Sequence, residues 1–543
     1  MKASQKALPG LGVALVLFGF YLLTCSRTVG LVDSGELSGV AWTLGIAHPT
    51  GYPLWTLMAF AFSHIFAVGE PVFRVAVMSG LSTALAGSVL FYVMIQMGLA
   101  RSAAVVGALS FGLARLVWAT SVSAEVYGLG GLLVALFLLS LITWERGKTR
   151  PFVVWYAGGL VLANHMSGLS VVLPGLVYMI YRDRKTLLYS WAALIALSVY
   201  AFLPIRSIHE PFFDWGDPQT LTNFIWHITG NQYRVWMFSR GAAGLWSGLV
   251  AVAGALWENW NVAAPLALLG VFLMKTKMRW VVLAGVGLSL VYLSGYSIPD
   301  IGDYFVPMFA LLALGLAGLL HRARSFAWFG LMLPGALIWF NYKTVNRNGD
   351  RFPEDVAVLC MESAEQNGVI LCNYWDIVSP MLYLQQVKGV RKDLVIVDKE
   401  LLRRSWYLKH IRLKHPGLNQ HIQEKMNAFS KQLSLFEHGK PYNPEIIQTT
   451  FVEMISAMML DYPGPSYMLL GEIDQDEGQV LQMARYRPTG PFLAPVSKPG
   501  AARVSDSLFK RLVRDFNAFP RSARERVLMA TLMKNLSRSG SVR

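Results

Sequence analysis

DSGELSGVAWTLGIAHPTGYPLW, residues 33–55, follows directly on an apolar run that begins near Leu8. Asp33 and Glu36 stand three residues apart, so any helix starting there carries both carboxylates on one face. An ordinary capping box would explain the pair alone, with Asp33 as N-cap and Glu36 at N3. It would not explain the next turn. His48-Pro49-Thr50-Gly51-Tyr52-Pro53 is a stiff, imidazole-bearing corner one short helix further on, so a second polar group can fold back toward the first.

Outward from this stretch, composition fixes the class. The 543 residues are 54% hydrophobic and 15% charged, which excludes an ordinary soluble protein and gives a polytopic membrane protein. Apolar runs of spanning length repeat up to about Tyr342; beyond it the charge density is that of a soluble domain. Two domains follow, a membrane domain over 1–343 with outer loops 26–71 and 205–257, and a soluble domain over 344–543. The net charge of +15 sits largely in short loops between spans, where it sets orientation, so no nucleic-acid partner is implied. Cys25, Cys360 and Cys372 have no metal-ligand spacing. Leu22-Leu23-Thr24-Cys25 is a poor lipoprotein cleavage site, and residues 9–25 read as an uncleaved span.

Lys2 and Lys6 ahead of the first span place the N-terminus in the cytoplasm and residues 33–55 outside. If Leu54–Val68 crossed the membrane, the basic loops at 145–150, 181–185, 275–279 and 321–325 would all lie outside. Reading it as an interfacial or re-entrant helix puts all four inside. Spans then fall at about 8–23, 72–97, 102–118, 127–144, 152–165, 167–181, 187–204, 258–274, 280–295, 305–320 and 326–341, about eleven in all, with 244–260 a candidate interfacial helix. The expected setting is the inner membrane of a bacterium, with the C-terminal domain extracytoplasmic.

This topology collects polar residues on the outer face. Ser123-Ala124-Glu125-Val126-Tyr127 and Asn164-His165 end spans there. Leu203-Pro204-Ile205-Arg206 opens a loop holding Asp214-Trp215-Gly216-Asp217, and Asp300-Ile301-Gly302-Asp303-Tyr304 precedes the tenth span. Singly, each has a structural reading as a boundary charge, an interhelical hydrogen bond or an Asp-rich turn. Five clusters on one face of a protein whose other face shows mainly Lys and Arg point to a substrate site.

In order, DSGE, LGIAHPTGYPL, SAEVY, NH, LPIR, DWGDP and IPD…DYF resemble the GT-C superfamily of membrane glycosyltransferases. More closely they resemble the family designated domain of unknown function 2723, whose eukaryotic relatives are protein O-mannosyltransferases. The resemblance covers about Val32 to Phe305, and it departs at Met166, where a second polar residue is expected after His165. It implies an inverting transfer of a sugar, mannose first, from a polyprenyl-phosphate donor to an acceptor hydroxyl on protein or glycan at the outer face. Asp33 is the expected general base, with Glu36 supporting it or exchanged with it. Arg206, with His48 and His165, would stabilise the leaving phosphate. Asp214, Asp217, Asp300 and Asp303 would hold sugar hydroxyls, and Trp215 and Tyr304 would stack on the ring, while Tyr52, Glu125, Tyr127 and Asn164 complete the expected binding residues. Metal ligands are not assigned and no cofactor is required, although a divalent metal is compatible with so many carboxylates.

In the C-terminal part, Val369–Cys372, Ser379–Leu384 and Leu394–Asp398 read as strand, helix, strand, an α/β unit that presents the acceptor or caps the membrane domain. Cys360 and Cys372 would there form a disulfide or remain two buried thiols. The Arg-rich 505–536 stretch reads as a helix that rests on anionic lipid or, in preference, presents a solvated face. A competing class, a transporter or flippase of a lipid-linked or polar solute, would want ionisable groups at mid-membrane and paired, broken helices; no internal repeat is visible. A sensor would leave residues 33–55 without a function.

Overall fold

The computed structural model describes residues 3–298, 301–323, 329–471, 473–498, 502 and 504–541. The chain is mostly helical and forms two compact units. One comprises Met1–Arg27, Ile46–His209 and Pro218–Asn348; the other comprises Thr28–Gly45, Glu210–Asp217 and Gly349–Arg543. Two stretches that precede the C-terminal part by more than a hundred residues are thus built into the same unit as that part.

In the first unit, proline repeatedly opens helices, at Pro53, Pro71 and Pro151, where its missing N–H is one the first turn would leave unbonded anyway. Among the described residues, Pro71–Gln96, Tyr127–Glu145, Arg184–Ser207 and Ile301–Arg322 are long and apolar enough to cross a membrane. Arg101–Leu113 and Arg115–Ser121 make a fifth span if their 64° bend lies within one crossing. The expectation of about eleven spans counts shorter apolar helices as well, such as Pro151–Asn164 and Ala263–Leu273. Pro53–Ile65 has 13 residues and is therefore about 20 Å long, short of a bilayer core of about 30 Å. Arg184–Ser207 shows Leu188, Trp191, Leu194 and Ile195 on its outside, as a lipid-facing helix does. These features make the chain an integral membrane protein.

The bend before Arg115 frees backbone carbonyls that lipid cannot satisfy. Polar side chains from three other helices donate to carbonyls there. Tyr21 Oη donates to Gly112 O at 2.8 Å and Asn341 Nδ2 to Leu113 O at 2.9 Å, and Trp260 Nε1 adds a second donor, at 3.0 Å, to Ser110 O, which already accepts from Ala114 N. Elsewhere small residues let helix backbones touch: a Cβ on Gly270 would strike the Gly315 backbone, and one on Gly315 the Ala267 backbone.

The second unit is built on a mixed five-stranded sheet of order β2-β1-β3-β5-β4. The strands are β1 (Val369–Cys372), β2 (Val395–Asp398), β3 (Ser466–Leu469), β4 (Tyr486–Thr489) and β5 (Phe492–Pro495). β1 pairs in parallel with β2 (Val369 opposite Val395) and with β3 (Val369 opposite Ser466), and VILC and VIVD are near-continuous apolar runs because helices cover both faces. β4 and β5 close the edge as a hairpin, Thr489 opposite Phe492, around Gly490 at φ +55°. The expected strand, helix, strand reading holds for β1, helix Trp375–Gln386 and β2. Cys360 and Cys372 are buried free thiols, which resolves the choice left open above.

The Arg-rich tail is two helices, Asp506–Ala518 and Ala523–Arg538, interrupted at Pro520. Its arginines do more than face solvent. Arg511 makes a fork to Asp355, Arg521 bonds Asp350 and Glu525, and Arg524 Nε donates to Asp376 at 2.8 Å.

Candidate functional site

Helix Ser34–Thr43 belongs to the second unit, and Ser34 to Ala41 are all buried there. Gly35 sets its seat. A Cβ at that position would lie 2.8 Å from Pro380 N and closer still to the Ser379 carbonyl, so the helix rests directly on the backbone of helix Trp375–Gln386. Asp33 occupies the N-cap position but makes no capping hydrogen bond. The first-turn amide that a capping box would satisfy, Glu36 N, donates instead to Ser379 Oγ at 2.9 Å. Asp33 Oδ1 accepts from Trp375 Nε1 at 2.8 Å. The carboxylate is thereby aimed by a rigid indole rather than folded onto its own helix. Asp33 is half-buried and Glu36 fully buried. One turn apart, each offers the kind of oxygen a divalent cation takes.

Next to Trp375, Asp376 is buried, and this desolvation raises its carboxyl above the usual carboxylate range; Arg524 opposes the shift, and the neighbouring Asp33 charge adds to it. The Phe212–Asp217 stretch lies in the same unit. Gly39 packs against the Phe213 ring. Trp215 meets Trp375 edge-on at 5.4 Å and Trp406 at 5.0 Å, so its faces serve the packing of this unit. Asp217 is ion-paired with Lys409 Nζ at 2.8 Å. Asp214 and Trp215 line a small cavity of about 30 Å³ with Trp375, Trp406 and His410.

The first unit gathers a second set. Tyr52 Oη bonds His48 Nε2 at 3.0 Å and donates to Pro49 O at 3.1 Å. The Tyr52 ring stacks on His165 at 5.5 Å. Tyr127 and Tyr304 also pack on His165, at 5.2 and 4.8 Å. Ser167 N donates to His165 Nδ1 at 3.0 Å, so a neutral imidazole here carries its proton on Nε2. Ser167, two residues on, is thus the second polar partner that Met166 fails to supply. Asn164 Nδ2 donates to Val126 O at 3.2 Å and its Oδ1 is buried with no hydrogen-bond partner. Glu125 is fixed through its backbone, its carbonyl accepting from Trp55 Nε1 at 3.1 Å and Ser79 Oγ at 2.9 Å.

Two cavities adjoin this set. One of about 370 Å³ is lined by His165, Tyr292, Tyr296 and Tyr304 together with Leu169, Leu173, Leu288 and Val291. The other, about 170 Å³, is lined by Ser123, Glu125, Asp303 and Arg347. Half-buried Arg206, on helix Phe202–Ser207, is not among the lining residues of either. Asp300 lies outside the described residues. Sequence reading missed Tyr292 and Tyr296, although their spacing of four at the end of an apolar helix, just ahead of the Asp303-Tyr304 motif, marks one helix face. It also missed Trp375 and Ser379.

Residues 33–189 match the N-terminal domain of Protein O-mannosyl-transferase TMEM260, a match that starts at Asp33. Over that stretch the chain is similar to the TMEM260-type protein O-mannosyl-transferases. It is 26% identical to Protein O-mannosyl-transferase TMEM260 of Mus musculus over 446 residues, 74% of this chain and 63% of the mouse protein. It is 25% identical to the Dictyostelium discoideum protein of the same name over 253 residues, 41% of this chain and 31% of that protein. The chain thus spans less than two thirds of the length of these relatives. Among solved structures it is similar to ArnT from Cupriavidus metallidurans, apo and bound to undecaprenyl phosphate, at TM-score 0.49 and 13% identity, over 74% of this chain and 92% of that one. It is also similar to the archaeal oligosaccharyltransferase AglB from Archaeoglobus fulgidus, in complex with an inhibitory peptide and a dolichol-phosphate, at TM-score 0.42 and 12% identity, over 70% and 63%.

Proposed function

We propose that this protein is an inverting membrane glycosyltransferase that moves a sugar, mannose by the kinship of its relatives, from a polyprenyl-phosphate carrier to an acceptor hydroxyl of a protein at the outer face of the membrane. The observation that carries the reading is the state of Asp33. It heads the stretch matching the TMEM260 N-terminal domain, it makes no capping bond, and an indole from elsewhere in its unit holds it. A carboxylate held in this way serves as a general base. In the step proposed, the acceptor oxygen forms a bond to the anomeric carbon and loses its proton to Asp33. The bond from that carbon to the phosphate oxygen breaks, and its electron pair leaves with the lipid phosphate.

The larger cavity of the membrane unit supports the donor side. Its aliphatic lining residues suit isoprene units, and its tyrosines and His165 suit the phosphate-linked sugar. His165 Nε2–H and His48 are donors for the leaving phosphate, with Arg206 as a cation, and Glu125 and Asp303 beside the smaller cavity suit sugar or acceptor hydroxyls. Trp215 and Asp217 are proposed to act through packing and the Lys409 ion pair, not by touching the sugar.

The test is transfer of labelled mannose from polyprenyl-phosphate-mannose to an acceptor protein by the purified full chain and by Asp33→Asn, each with and without chelator. Turnover by the wild type and loss in a folded Asp33→Asn support the reading. Equal activity in both would return Asp33 to a structural role. Chelator sensitivity would assign a divalent cation to the carboxylates. A transporter would instead move the lipid-linked donor across a vesicle membrane without sugar transfer.

A further inference from the structure

Within the second unit, a side chain from the C-terminal part of the sequence bonds Asp33. We infer that Trp375 is a positioning residue for the transfer reaction: its indole Nε1–H, 2.8 Å from Asp33 Oδ1, holds the base in its reactive orientation, so the C-terminal unit is part of the catalytic apparatus. This rests on Asp33 being the base.

Three observations converge on the indole. Asp33 makes no side-chain capping bond, and the indole N–H donates to one oxygen of its carboxylate. The indole itself is locked. Trp215 packs on it edge-on, and Trp215 is in turn tilted against Trp406. The backbone on each side is locked as well, because Gly35 sits on the Ser379–Pro380 peptide and Ser379 Oγ takes the Glu36 amide. Helices Ser34–Thr43 and Trp375–Gln386 thus form one packed pair, with the donor Trp375 opening one helix and Asp33 heading the other. A base must meet its proton within hydrogen-bond reach in a set direction, and a carboxylate that rotates loses most of that advantage. An indole is suited to the task because it donates and never accepts, so it stabilises the ionised carboxylate that can take a proton.

Trp375→Phe removes the donor and keeps a ring against Trp215; Trp375→His restores an N–H on a smaller ring. In the mannose-transfer assay, kcat of Trp375→Phe should fall about 10- to 100-fold while KM for the lipid donor stays within about twofold, and the thermal midpoint should stay close to the wild type. Trp375→His should recover part of the lost kcat. The inference is overturned if Trp375→Phe keeps wild-type kcat while Asp33→Asn is inactive. It is also overturned if kcat, KM and the thermal midpoint of Trp375→Phe fall together and Trp375→His is no better, since that is the signature of packing alone. If Asp33→Asn is active, the assignment of the base fails first, and the inference falls with it.

Discussion

Gly35→Ala adds one methyl group to the molecule and should be among the most damaging small changes in it. The new Cβ would stand 2.8 Å from Pro380 N and nearer to the Ser379 carbonyl. Both are backbone atoms inside a helix, so no rotamer change relieves the contact. Ordinary carbon contacts need about 3.5–4.0 Å, so helix Ser34–Thr43 must move by about 1 Å. Overpacking of this kind costs about 1–3 kcal/mol. For a unit of this size that is roughly 2–4 °C of thermal midpoint per kcal/mol. The functional cost should be larger. A shift of 1 Å stretches both the Glu36 N to Ser379 Oγ bond and the Trp375 to Asp33 bond, each now under 3 Å. Misplacement of a catalytic group by that distance costs on the order of 100-fold in rate. The assay is kcat for mannose transfer alongside thermal unfolding of the full chain in detergent. Wild-type turnover with an unchanged midpoint would refute the packing argument, and normal turnover with a lowered midpoint would refute the claim that this helix pair aims the base.

Burial depresses His410 to about 3 and His415 to about 4, so both are neutral when folded. Their contribution to stability is complete above the unfolded value near 6.5 and is lost as pH falls through the folded values. In the full chain the thermal midpoint of the second unit should therefore drop between about pH 6.5 and 4.5, and more steeply than in His410→Gln, since each such histidine adds about 1.4 kcal/mol per pH unit in that window. Arg524→Ala should destabilise the second unit by about 1–3 kcal/mol by stripping buried Asp376 of its cation, and Asp376→Asn in that background should recover part of the loss in thermal unfolding. Burial pushes the Cys360 thiol up to about 12, and Cys372 is raised by the same cause. Neither should be alkylated by maleimide in the native chain at neutral pH, both should react after denaturation, and reductant should leave the unfolding midpoint unchanged. Tyr52→Phe, which deletes the bonds to His48 and Pro49 O, should cost about 1 kcal/mol and lower transfer several-fold, measured by the same midpoint and assay.

Much of the architecture was legible in the sequence because its signals are local. Apolar runs mark membrane helices wherever they are long enough, and VILC and VIVD are strands by composition alone. The break before Arg115 was not legible. It depends on Tyr21, Trp260 and Asn341 arriving from distant helices to donate to carbonyls around the bend, and no window of sequence contains them all. The same limit divides the candidate site. The carboxylates, His48 and the Asn164-His165 pair stand out as polar groups beside apolar runs. Nothing local distinguishes a capping box at Asp33 from a carboxylate bonded by a distant donor, because that donor, Trp375, lies 342 residues away. Trp215 and Asp217 show the converse: an aromatic and an acid with a sugar-binding look that the fold engages in its own packing.

That separation of 342 residues is also a delay. At roughly 5–20 residues per second, a ribosome needs about 20–70 s to advance from Asp33 to Trp375. During that interval helix Ser34–Thr43, rich in Gly and Ser, has neither its seat nor its indole. Asp33 therefore gains its indole partner only after the apolar helices of the first unit have been made.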